Sequence, residues 1–194
     1  VRQNIAGGPV ITAYNQAITA NSSGIEGRGY LGVRGVGSDT GVYGEGAQYG
    51  VYAKASTPAN YGLYVQGKAH CTSGAWGDLA EYVPSYENLQ PGDVVVIDPL
   101  SENRIKKCDT ANDTRVAGII STAPTITVGE ETVGGDKYAL ALAGIVPCKV
   151  IANEPIVPGD LLTTSSKSGF AEKAVNPKIG AIVGKALQGL PSGQ

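Results

Sequence analysis

The side chains best suited to chemistry are few and scattered. Asp78 and Glu81 stand in one short stretch with Trp76 and Tyr82. Two such carboxylates can act as general acid and base or share a cation. In the same positions they can also cap a turn and a strand end. No His, Lys or second acidic cluster accompanies them, so the capping role is favoured. The single histidine, His70, adjoins Cys71. Thiol chemistry needs a base within hydrogen-bond reach, and neighbours on a strand point to opposite faces. His70 has no ligand-spaced partner for a metal. The three cysteines, Cys71, Cys108 and Cys148, lie far apart and form no CxxC pair. Buried small hydrophobes are the favoured reading, and one disulfide with a thiol left over is the alternative. A glycosidase needs two carboxylates flanking the scissile bond, and no spacing in the chain singles out a pair. Gly27-Arg28-Gly29 and Gly35-Val36-Gly37 neither follow a strand nor open a helix, so the dinucleotide fingerprint fails. No catalytic, cofactor-binding or metal-binding residue is expected, and the chain is read as a non-enzyme.

Binding by stacking is the other chemistry on offer. Trp76, Tyr82, Tyr86 and Tyr138 are residue types that contact sugars, and each serves equally well in packing. Trp76 lies between Gly74 and Gly77, where the composition changes, and a Trp at such a boundary commonly plugs a domain interface.

The elements that must position these residues follow from two repeats. The first runs from Gly24 to Gly67. Units of Gly, an aliphatic residue, often Tyr, then a small residue begin at Gly24, Gly32, Gly41, Gly50 and Gly62. Adjacent residues of a strand face opposite ways. One face therefore carries Ile25, Val33, Val42, Val51 and Leu63, and the other Arg34, Tyr43, Tyr52 and Tyr64. A single-chain solenoid coil takes about 20 residues or more, and these units supply one strand and one turn. An antiparallel meander or an intertwined trimer remains. Short strands with little core do not hold alone, and trimerisation also removes free sheet edges, so the trimer is favoured. Upstream, Val10-Ile11-Thr12 and Ala17-Ile18-Thr19 read as short strands.

The second repeat is longer. Pro91-Gly92-Asp93-Val94-Val95-Val96 matches Pro158-Gly159-Asp160-Leu161-Leu162-Thr163. Arg104–Cys108 then matches Phe170–Ala174, and Arg115–Ile120 matches Lys178–Val183. Each Pro-Gly-Asp predicts a tight turn, with Pro fixing φ and Gly permitting a positive φ. The stretch from Tyr138 to Pro147 predicts a central strand, and no amphipathic helix is apparent.

Composition agrees with an all-β chain in two parts. Of the 28 glycines, 16 fall in the first 77 residues. The expected domains are a Gly-rich repetitive β shaft over 1–77 and a β-rich head over 78–194, with similar halves at about 84–121 and 151–188. With Phe 1, Trp 1 and Met 0, Val, Ile, Ala and Tyr must form the core. A net charge of −2 offers no electrostatic attraction to nucleic acid or an anionic membrane, and no apolar run is long enough to span a bilayer. The start at Val1 and the lack of Met suggest a processed product or a fragment.

The order of GVYG-type units, GDLAEYVP, PGDVVVID, TRVAGIIS, ALALAGIVPCKV and PGDLLTTSS resembles a module at the distal part of phage and bacterial-surface fibre and spike proteins. The resemblance implies a homotrimer with a repetitive shaft and a β-rich head, in an extracellular, cell-surface or virion setting. It implies self-association as the main partnership, in a fibre, spike or filament. A surface glycan or receptor for the head is the alternative, and a self-cleaving chaperone domain is a further one. Ala80-Glu81-Tyr82 resembles the start of such a domain, without the Ser-Lys or Ser-Asp pair that would let catalytic residues be carried over.

Overall fold

The computed structural model describes residues 36, 40, 42–45, 47, 49–57, 60–71, 77–129 and 136–193. The chain divides into two units, Val1–Gln66 and Gly67–Gln194. Among the described residues there is no helix, and the strands form small sheets.

In the first unit no described residue belongs to a strand. The repeated glycines have a steric role there: a Cβ on Gly44 would lie 2.5 Å from the Gly50 carbonyl oxygen, and one on Gly50 would lie 2.8 Å from that of Gly44. The two repeat units approach backbone to backbone, which only Gly allows. Tyr49 packs tilted on Tyr52, and Tyr61 on Tyr64, with centroids 5.7 and 6.1 Å apart.

The second unit holds nine strands among its described residues. They are β1 (Asp78–Pro84), β2 (Val94–Ile97), β3 (Ile105–Lys107), β4 (Val116–Ile119), β5 (Ile126–Val128), β6 (Lys137–Gly144), β7 (Leu161–Thr164), β8 (Ala171–Lys173) and β9 (Ile182–Lys185). They form three three-stranded sheets, ordered β5-β1-β6, β3-β2-β4 and β8-β7-β9. The last two are copies of one pattern. In each the first strand is central and antiparallel to both neighbours. Each carries a register shift, at Val95/Val96 and at Leu162/Thr163.

The copies correct one landmark of the sequence comparison. Val95 pairs with Gly118 and Leu162 with Gly184. The structural equivalent of Val116–Ile119 is therefore Ile182–Lys185, three residues beyond the match read from sequence. The β3–β4 and β8–β9 connections, 108–115 and 174–181, are equally long, so the difference comes from the likeness of the two apolar runs and not from a loop insertion. The stretch read as a central strand is also different: β6 lies at the edge of its sheet, and β1 is central. β6 meets the second sheet through the isolated bridge Ile120–Leu140 and through packing of Leu140 on Val95 and Ile105.

β2 explains the core. Val94, Val95 and Val96 are all fully buried, because both faces of the strand are covered. Val94 and Val96 join Cys108, Ile156, Leu162 and Ala171 in one cluster, and Val95 joins Leu89, Ile105, Ile120 and Leu140 in another. The first cluster thereby ties the two copies together. An unbroken Val run, rather than strict alternation, suits a strand covered on both sides. β7 occupies the equivalent place with hydroxyls. Thr163 donates to the Ala181 carbonyl at 2.6 Å, and Thr164 donates to the Thr110 carbonyl at 2.8 Å while accepting the Asp113 N–H at 2.8 Å. Each buried hydroxyl is thus satisfied, as burial requires.

Candidate functional site

The two Pro-Gly-Asp turns are built alike. Asp93 N–H donates to the Gln90 carbonyl at 3.0 Å, and Asp160 N–H to that of Val157 at 3.1 Å. Gly92 and Gly159 take φ of 83° and 95°. Pro91 and Pro158 precede them, so each is a type II turn of the predicted kind. The aspartates close the turns from below: Gln90 N–H donates to Asp93 Oδ2 and Val157 N–H to Asp160 Oδ2, both at 2.8 Å. Each carboxylate also meets a lysine from the neighbouring strand, Lys107 at 3.6 Å from Asp93 and Lys173 at 2.8 Å from Asp160.

The copies then diverge. Asp93 is buried and takes a second lysine, Lys149, at 2.5 Å. Lys149 belongs to the connection between the copies, and its own N–H donates to the Gly92 carbonyl at 2.9 Å. Asp160 is more open and meets only Lys173; the hydrogen bond from Lys173 holds its carboxyl below the usual carboxylate range. These aspartates fasten turns and strands. The lysines were legible only as matched positions of the repeat, Lys107 with Lys173.

The candidate ligand residues are not brought together. Trp76 lies outside the described residues. Tyr82 and Tyr138 are partly buried on β1 and β6. Val83 pairs with Tyr138, and both pack against the Leu89 cluster. Tyr86 is 77% exposed, and the Arg104 guanidinium carbon sits 3.8 Å from its ring centroid. The carboxylates Asp78 and Glu81 do not form a pair, since Asp78 is buried at the start of β1 and Glu81 is exposed. Among the described residues no group of His, Cys, Asp or Glu has the makings of a metal centre.

The thiols are all free, so the disulfide alternative is not realised. Cys71 is exposed. Cys108 is buried and donates to the Phe170 carbonyl at 3.2 Å. Burial pushes the Cys148 thiol up to about 12, and burial also raises that of Cys108. A buried Cys108 and a half-buried Cys148, both with raised thiols, fit packing rather than nucleophilic chemistry.

The second unit carries an open groove of about 800 Å³. One wall is Ala141–Pro147, the end of β6 and the chain beyond it; the other is Gly184–Leu190, the end of β9 and its continuation. Gly118, Ile119, Leu162 and Val183 contribute to its lining, and Lys185 is its one charged residue. Leu142, Ile145 and Leu187 are exposed along it. The sequence reading missed this groove, because its walls read as ordinary apolar strands and only the topology leaves them at sheet edges.

Among the described residues the chain is thus all-β, and its second unit contains a duplicated three-stranded sheet. Comparison with protein families, curated proteins and solved structures finds no match to this chain.

Proposed function

We propose that this chain is a structural, self-assembling protein: the homotrimeric component of an extracellular or virion-associated fibre, spike or filament. The observation that carries this reading is the exposure of the repeat. Val42, Val51 and Leu63 are 68, 69 and 72% exposed within one chain, and Tyr43, Tyr52 and Tyr64 are exposed beside them. Ile25 and Val33, the other members of the apolar series, lie outside the described residues. Exposed apolar residues at regular spacing mark an interaction surface. Three copies would pair edges that no described residue of the repeat pairs within one copy, and the close approach of Gly44 to Gly50 shows that successive units pack backbone to backbone. Sedimentation of the purified chain tests the reading: a trimer supports it, and a compact monomer refutes it.

A second reading, a glycan- or receptor-binding head, draws on Tyr86. Its ring is exposed on one face and backed by Arg104 on the other, a rigid platform of the kind that stacks on sugars. Binding of surface glycans that is lost on Tyr86→Ala would support it. Equal binding by the variant would exclude Tyr86.

A further inference from the structure

The groove between β6 and β9 has two properties of a strand acceptor. Both walls come from sheet edges, since β6 ends the order β5-β1-β6 and β9 ends the order β8-β7-β9. An edge presents unpaired backbone donors and acceptors. The β6 wall, Ala141–Pro147, is seven residues long, about 23 Å at the rise of a strand. Its exposed side chains are apolar, and a lone lysine is the only charge. A strand laid between the walls would hydrogen-bond to an edge and bury apolar side chains, the mode of strand addition.

The occupant must be extended, uncharged and β-forming. The chain supplies one such run ahead of the repeat. Gln3–Ile25 is its longest stretch without a charged residue, and it contains Val10-Ile11-Thr12 and Ala17-Ile18-Thr19. Val, Ile and Thr favour strands. The run lies within residues 1–35, which precede the first described residue, Val36. Extended, 35 residues reach on the order of 100 Å, far enough to enter a neighbouring molecule. Of the other uncharged stretches rich in Val, Ile and Thr or aliphatic residues, 116–129 already supplies β4 and β5, and 138–148 is itself the wall.

We propose that the groove receives the segment Val10–Thr19 of a second copy of this chain. Each copy both donates a strand and accepts one, so the contact is heterologous and propagates end to end when it does not close. This rests on the self-assembly reading and adds to it: the repeat joins chains side by side, and the groove joins assemblies along an axis.

Disulfide trapping in the full-length chain tests the proposal. In a Cys71→Ser background, one set of chains carries Val10→Cys, Ile11→Cys or Thr12→Cys, and a second, mass-labelled chain carries Leu142→Cys. The sets are mixed in oxidised glutathione, and peptide mapping locates the bonds. The expected result is a bond between the labelled and unlabelled chains from at least one of the three positions. Adding Ala17→Asp and Ile18→Asp to the donor lowers its yield about tenfold or more, since buried charge opposes docking. Circular dichroism confirms that each variant folds. No bond from any position overturns the proposal. So does a bond formed only within one chain when donor and acceptor cysteines share it at high dilution. Sedimentation separates this from the trimer. Trapping without a trimer refutes the role of the repeat alone, and a trimer without trapping refutes the groove assignment alone.

Discussion

Asp93→Ala is the sharpest perturbation of the duplicated fold, because its counterpart Asp160 provides an internal control. The substitution removes the acceptor of the Gln90 N–H and the partner of Lys149. Loss of the turn bond costs about 1 kcal/mol. Loss of the charge-assisted bond to Lys149 would cost about 1.5–3 kcal/mol if the pair were fully buried. The Lys149 side chain is 35% exposed and can regain water, which reduces its share to about 1 kcal/mol. A vacated buried site adds to this, and Lys107 at 3.6 Å adds little. The total is about 2–3 kcal/mol. Thermal denaturation followed by circular dichroism should show a fall in Tm of about 5–10 °C. Asp160→Ala should lower Tm less, because its carboxylate is more open and holds one lysine. Asp93→Asn, which keeps an acceptor for Gln90, should fall between wild type and Asp93→Ala. An Asp160→Ala loss equal to or larger than that of Asp93→Ala would refute the division of labour between the two turns.

Further outcomes follow from the ionisable groups. The hydrogen bond from Arg115 holds the Asp113 carboxyl below its usual value. A depressed folded value means that the stabilisation is present above the unfolded value near 3.9 and lost as pH falls through the folded value. The destabilisation caused by Asp113→Asn, measured by urea denaturation, should therefore be larger at pH 7 than at pH 3; equal destabilisation at both would contradict the ion pair. Thiol titration of the native chain with a disulfide reagent should give one fast equivalent, from exposed Cys71. Cys108 should react only on denaturation and half-buried Cys148 more slowly than Cys71, and a second equivalent as fast as the first would contradict this order.

The second unit was legible in the sequence to the extent that it is local. Pro-Gly-Asp determines its turn through two backbone preferences, so both turns are found where predicted. The match of Lys107 with Lys173 was readable because a strand pair keeps its register from a fixed turn. The third landmark differs because Arg115–Ile120 and Lys178–Val183 share a local apolar pattern, whereas the strand pairing places Ile182–Lys185, after a connection of equal length, opposite β7. β6 was misplaced for a related reason. A run such as Ala139–Ile145 is apolar enough for a central strand, and only tertiary pairing tells that its second half borders a groove. Asp78 and Glu81 illustrate the converse: they are close in sequence, yet one is buried and the other exposed. Asp93 and Lys149 meet across a long separation that no local pattern announces.

The claim that the repeat is an assembly element is tested most directly by the mass of the purified chain in solution. Analytical ultracentrifugation in non-denaturing buffer should give three times the chain mass of 19.8 kDa, or whole multiples of that trimer. Replacing Val42 and Val51 together with Asp should shift the population toward one chain, since both side chains are exposed in the single copy and would be buried only between copies. A wild-type chain that sediments as a compact monomer, unchanged by the same substitutions, would contradict the account.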